Sequence, residues 1–200
     1  MSKLKKSFFQ RDTVTVAREV LGCILVRKDP FSGNLLKGRI VETEAYLGLE
    51  DPSCHSFNGR RTERTKTMYL TGGHAYIYFI YGMHYCFNIV TENTEKPEAV
   101  LIRALEPLKG LSNMRKNRNQ QNRTNLTTGP AKLCQALNIT KELNGASLES
   151  RNIFIESDVS KAIEPVETRR IGLSPTSDSF WWPLRFFLPN NPYVSLPEIK

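Results

Sequence analysis

An α+β fold is expected, with one curved, mainly antiparallel β-sheet flanked by helices in a single compact domain. Three observations predict it. The chain has 200 residues, enough for one domain with a substantial core. Its apolar residues fall mostly into short runs of strand length, with only a few stretches at helical spacing. No internal repeat, low-complexity tract or long linker divides residues 1–200, and disorder is expected only over residues 1–7. No run approaches the ~20 apolar residues of a membrane span, so no membrane association is expected.

Taken in order, Asp12 and Thr13 can cap a short helix. Val14, Ala17 and Leu21 share one face of it, and Gly22 can end it. Residues 23–28 read as a strand, residues 29–34 (Asp-Pro-Phe-Ser-Gly-Asn) as turn chemistry, and about 36–47 as a second strand, giving an antiparallel hairpin. Side chains alternate along a strand, which places Ile40, Glu42, Glu44 and Tyr46 on one face and Val41, Thr43, Ala45 and Leu47 on the other. Carboxylates two residues apart on a strand sit roughly 7 Å apart. Away from open water they raise each other's pKa, and one becomes a candidate general base. The competing arrangement is an exposed edge strand with both acids in water. Tyr46 on the same face and the hydrophobic remainder of the strand bring the two arrangements level.

Asp51-Pro52 has the form of a helix cap and first turn, introducing Ser53, Cys54 and His55. Residues 75–80 and 85–90 read as a strand and its return, connected by Tyr81-Gly82-Met83-His84, where glycine permits a positive φ. Tyr81 and Met83 then stand at the tip, either as a wedge between base steps or folded back against the protein. Residues 99–105 form a buried strand containing Arg103, which must be paired; Glu42, Glu44 and Glu106 are its candidates. Gly129-Pro130 opens a helix with Leu133, Cys134 and Leu137 on one side, and the free amides at its start suit a phosphate, with Lys132 close by. Asn152–Glu156 and 163–172 read as strands, with Arg169 and Arg170 adding charge. Residues 174–179 are loop, and 184–188, a turn and Tyr193–Ser195 end the chain as strand, turn and short strand.

The stretch 42–88 holds six of the seven tyrosines and all three histidines. A buried phenol needs a partner for its hydroxyl, so this density points to flat rings used for stacking. Basic clusters flank the stretch: Arg60, Arg61, Arg64 and Lys66, and five basic residues with no acid over 108–125. With a net charge of +8, phosphate contact is at least as well supported as a merely solvated face, and nucleic acid is the commonest such partner. Cys54, His55, His74, His84 and Cys86 match no zinc spacing, so no metal is expected. No 7–15-residue apolar region follows Met1–Arg11, and the four scattered cysteines read as reduced thiols. Both point to an intracellular setting, cytoplasm or nucleoid (or nucleus), without a signal peptide.

Residues 38–48 (Gly-Arg-Ile-Val-Glu-Thr-Glu-Ala-Tyr-Leu-Gly), Glu50-Asp51, His55-Ser56, 76–83, 101–108, 129–137 and Pro183-Leu184-Arg185-Phe186 together resemble the alkyladenine (3-methyladenine) DNA glycosylase family. The resemblance runs from about residue 8 to residue 196. It implies a monomeric, monofunctional base-excision enzyme acting on double-stranded DNA that contains damaged purines, with no cofactor. It further implies that Glu44 activates water and that Arg103 holds both. Tyr46, His55 and Tyr78 stack the extruded base, and Asn88 crowds the exocyclic amino group of guanine. Tyr81 fills the gap in the duplex, and residues 76–83, Met83 included, form an intercalating hairpin. Arg60, Arg61, Arg64 and Lys132 are the candidates for contact with the DNA backbone. Candidate substrates are 3-methyladenine, 7-methylguanine, hypoxanthine and ethenoadenine. Two rivals are a lesion-binding protein without catalysis and an O-glycoside hydrolase using Glu42 and Glu44 as its acid and base.

Overall fold

The computed structural model describes residues 2–80, 82–158 and 164–195. Among them are four α-helices, α1 (Lys6–Phe9), α2 (Thr13–Glu19), α3 (Leu111–Arg118) and α4 (Pro130–Ala136), and eight strands in one sheet. The strands are β1 (Ile24–Lys28), β2 (Leu35–Tyr46), β3 (Ala75–Ile80), β4 (His84–Val90), β5 (Ala99–Lys109), β6 (Ile153–Glu156), β7 (Val166–Thr168) and β8 (Arg185–Phe187). The main path runs β3-β4-β5-β2-β1-β6, and every pairing is antiparallel.

The sheet is organised by β2. One of its edges pairs with β5 from Lys37 to Tyr46. Its other edge pairs first with β1, over Leu35–Arg39, and then with β8, over Glu42–Glu44. The Glu-x-Glu segment therefore sits in the interior of the sheet, not on an exposed edge. Local chemistry fixes the flanking elements. The Asp12 carboxylate accepts from the Thr15 amide and caps α2. Gly22, at φ +81°, turns the chain into β1, and the Asp29 carboxylate accepts from the amides of Phe31 and Ser32 in the turn to β2. Helices α2 and α4 lay Val16, Ala17, Leu133 and Cys134 on one face of the sheet against Leu25, Ile40, Ala45, Phe87 and Ile102. Complete burial of each leucine or phenylalanine here contributes about 1.5–3 kcal/mol.

Three expectations need correction. Ile40 does not share a face with Glu42 and Glu44. The β2–β5 register skips Val41 and then Arg103, so a bulge breaks the alternation. Ile40 packs in the main core with Ala45, whereas Val41 packs with Ala104, Leu188 and Tyr193. Asp51-Pro52 starts no helix. A short 3₁₀ turn precedes it at Gly48–Glu50, and the Asp51 carboxylate accepts from the amides of Leu47 and Ser53 within a turn. Residues 193–195 form a turn, not a strand, because the Ser195 amide is taken by Glu42. Ahead of α1, Lys3 bridges Glu156 of β6, and the Leu4 amide donates to Ile155 at 2.8 Å.

The β3–β4 hairpin forms one edge of the sheet, with Gly82 at φ +67° in its turn and Met83 exposed. Tyr81, the expected wedge, lies outside the described residues. Among the described residues no helix is long and apolar enough to cross a membrane.

Candidate active site

Because β5 and β8 flank the same stretch of β2, both deliver arginines to its two acids. Arg103 on β5 lies between them, with Nε 3.1 Å from Glu42 and Nη1 3.2 Å from Glu44. Burial by itself would lower the pKa of Arg103; the Glu44 and Glu42 carboxylates reverse this and hold the guanidinium charged. Arg185 on β8 donates to Glu42 at 2.7 Å.

Both acids are completely buried, yet they are not equivalent. Glu42 accepts from Arg103, Arg185, the Ser195 amide and the Ser195 hydroxyl. A carboxylate offers about four acceptor positions, so Glu42 is saturated. Glu44 accepts from the Tyr46 hydroxyl at 2.9 Å and the Ile171 amide at 2.7 Å, and it forms an ion pair with Arg103 at 3.2 Å. These two hydrogen bonds leave acceptor capacity free, which is what a carboxylate needs to take a proton from water.

Tyr46 joins the acids to the cleft above them. Burial, and then the Glu44 charge, push its phenol pKa well up, so the hydroxyl stays protonated and donates. Behind the ring, the Arg170 guanidinium lies 4.5 Å from its centroid. Arg170 is itself buried and bonds both Asp51 oxygens, at 2.5 and 2.8 Å, as well as the Ala45 carbonyl. Burial raises the Asp51 pKa, but the Arg170 bonds outweigh it and hold the acid below its usual range. With one face of Tyr46 covered by Arg170, a flat ligand can stack only on the other. Arg170 is thus part of the site and not surface charge.

A cleft of about 410 Å³ opens above this layer, lined by Tyr46, His55, Tyr76, Tyr78, Asn88 and Arg103 among others. That volume admits a bicyclic base. His55 meets Tyr78 edge-to-face at 4.6 Å, and its Nδ1 lies 2.8 Å from the Tyr76 hydroxyl. Burial, and then the charges of Arg64 and Arg60, push its pKa down to about 4, so the imidazole is neutral at pH 7. Asn88 Nδ2 donates to the Tyr76 carbonyl at 3.1 Å, which fixes the rotation of the amide.

The fold therefore gathers Tyr46, His55, Tyr78, Asn88 and Arg103 around one cleft, with Glu44 directly behind Tyr46 and Arg103. It does not bring Met83 there. Met83 lies over a separate groove beside Ala131 and Gln135 of α4. The basic cluster divides. Arg64 stacks 5.4 Å from the Tyr78 ring and approaches His55. Arg61 is paired with Glu95 and lies over Tyr69. Arg60 is exposed, and Lys132 is bonded to Asn125.

Sequence reasoning missed Arg170, Asp51, Arg185, Ser195 and the Ile171 amide. The Arg170–Asp51 partners are 119 positions apart and the Arg185–Glu42 partners 143. The one usable signal was an arginine, Arg185, within the apolar run 184–188.

Comparison with known proteins agrees over nearly the whole chain. The family model described as methylpurine-DNA glycosylase (MPG) matches residues 7–192. A protein of Natranaerobius thermophilus is 45% identical over 97% of this chain and 99% of its own length. One from Desulfitobacterium hafniense is 41% identical over 98% and 100%, and one from Bdellovibrio bacteriovorus 44% identical over 96% and 98%. All three carry the name "Putative 3-methyladenine DNA glycosylase".

Proposed function

The chain belongs to the methylpurine-DNA glycosylase family, and from that premise we propose that it repairs DNA by hydrolysing the N-glycosidic bond of alkylated or deaminated purines. The observation that carries the reading is Glu44: a buried carboxylate with acceptor capacity left, behind an aromatic cleft sized for a base.

A base inside a duplex must leave the stack before its glycosidic bond can be reached. Tyr81 fills the gap it leaves, with Met83 beside it. Arg60, Arg64 and Lys132 meet the DNA backbone, and Arg61 does so only by giving up Glu95. The extruded purine lies between the free face of Tyr46 and the Tyr78–His55 wall. Neutral His55 is available for hydrogen bonding to it. Alkylation at a ring nitrogen makes the base cationic, and aromatic faces attract such a ring by about 0.5–2 kcal/mol. Asn88 crowds the exocyclic amino group of an undamaged guanine.

Water held by Glu44 and Arg103 then attacks C1′. The C1′–N bond breaks with its electron pair going to the base nitrogen, and the water oxygen bonds to C1′. Its proton passes to the Glu44 carboxylate, through an oxocarbenium-like transition state as in sugar hydrolysis. No step uses a lysine Schiff base, so the strand stays intact at the abasic site. The enzyme works as a monomer inside the cell on 3-methyladenine, 7-methylguanine, hypoxanthine and ethenoadenine.

The test uses labelled duplexes with one damaged purine, in excess enzyme, with alkali to reveal abasic sites. Wild-type protein yields alkali-dependent cleavage. Glu44→Gln lowers the excision rate by roughly 10²–10⁴-fold while still binding the lesion duplex. If wild-type protein binds the lesion but leaves no abasic product, the lesion-binding rival stands and this reading falls.

A further inference from the structure

Beyond the base pocket, one exposed patch has chemistry that the reaction leaves unused. Trp181 is 75% exposed, whereas its neighbour Trp182 packs against the main core. The exposed indole is held from behind, since Phe180 is buried and meets it edge-to-face at 4.9 Å. The Arg169 guanidinium stacks 4.4 Å from Phe180 and 5.6 Å from Trp181, and it forms no ion pair among the described residues. The loop carrying Trp181 is fastened to the cleft: the Ser177 and Ser179 hydroxyls lie 3.2 and 2.8 Å from that of Ser53, which lines it. At the other end of the segment, Ile171, Gly172 and Leu173 line the cleft as well. A cation and an exposed aromatic thus stand side by side on a segment joined to the cleft at two points.

We propose that Arg169 and Trp181 form a second DNA contact beside the cleft, Arg169 taking a backbone phosphate and Trp181 lying against a base or sugar next to the extruded nucleotide. The proposal rests on the reading of the cleft as a purine pocket. It also explains why an indole is kept in water. Single-strand and splayed nucleotides are bound by this pairing of cation and flat ring, which tolerates any base because every base has a π-face.

The chain's two tryptophans make the contact readable by fluorescence. Binding is measured in the Glu44→Gln background with a duplex carrying one hypoxanthine. DNA quenches the emission, and Trp181→Phe removes most of the quench. Trp181→Ala weakens binding about tenfold, the size expected for one lost stacking contact. Arg169→Ala lowers the slope of log affinity against log salt by about 1. Phe31→Ala, which removes a still more exposed ring on the β1–β2 turn, leaves binding unchanged. The proposal is overturned if Trp181→Ala binds within about twofold of its parent or if the quench survives Trp181→Phe. Failure of the purine-pocket reading shows up separately, as wild-type protein that leaves no abasic product, and the binding comparison still decides the contact.

Discussion

His55 combines two features that seldom coincide on a surface histidine: a hydrogen bond to the buried Tyr76 hydroxyl and a pKa pushed down to about 4. In the unfolded chain it titrates near 6.5. Between these values the unfolded state binds the extra proton, so folding stability rises with pH there. The contribution of His55 is complete above pH 6.5 and is lost as pH falls toward 4. We expect wild-type protein to lose about 2 kcal/mol more unfolding free energy than His55→Phe between pH 7 and pH 5. Urea titrations at both values check this, and equal losses in the two proteins would show that the imidazole is not held neutral. At this scale the sequence was informative where a residue's type demanded a partner. Arg103 sat in an apolar run, so an acid had to face it, and Glu42 and Glu44 both do. It was silent where saturation decides the role. Nothing local to Glu42 says that Ser195, 153 positions away, takes two of its acceptor positions.

At the scale of elements, the site depends on the segment from β7 to residue 173 being fixed against β2. The Ile171 amide clamps Glu44, Arg170 backs Tyr46, and Asp51 holds Arg170 through two bonds. Both partners of this ion pair are buried. Removing one member leaves an uncompensated charge in low dielectric, which costs about 3–5 kcal/mol. Asp51→Asn is therefore expected to lower the unfolding free energy by that amount. Glu95→Gln, which breaks the exposed pair with Arg61, should cost under about 1 kcal/mol. A comparison of urea midpoints decides it, and similar small losses from both would show that Arg170 has another anchor. Strand β5 runs to Lys109, four residues past the expected end, whereas strands β1 to β4 were legible to within a residue or two, because a period of two and Gly/Asp/Asn turns leave a direct trace. The bulge at Val41 was not, because it inserts an extra residue without changing composition, and it reassigned Ile40 to the opposite face. The short strands β7 and β8 lie inside the strands expected over 163–172 and 184–188, but the three-residue length of β7 follows from its pairing with β8, which its local sequence does not show.

Over the whole molecule, the net charge of +8 is not spread evenly between structural and free cations. Arg103, Arg170 and Arg185 are consumed inside by Glu42, Glu44 and Asp51, a buried set with no net charge. Arg18, Arg39 and Arg61 are taken up in surface ion pairs. Arg60 and Arg64 are exposed beside the cleft and form no ion pair with an acid among the described residues. DNA binding should therefore fall steeply with salt, because each phosphate contact releases counterions and adds about 0.9 to the slope of log affinity against log salt. Arg60→Ala and Arg64→Ala should each lower that slope by about 1. Arg61→Ala should lower it less, since its guanidinium must first leave Glu95 and the Tyr69 ring. Titrating a labelled lesion duplex between about 50 and 200 mM salt resolves slopes of this size. A flat response in the wild-type protein would remove DNA as the ligand. An equal loss from all three arginines would show that the Arg61–Glu95 pair opens at no cost when DNA arrives.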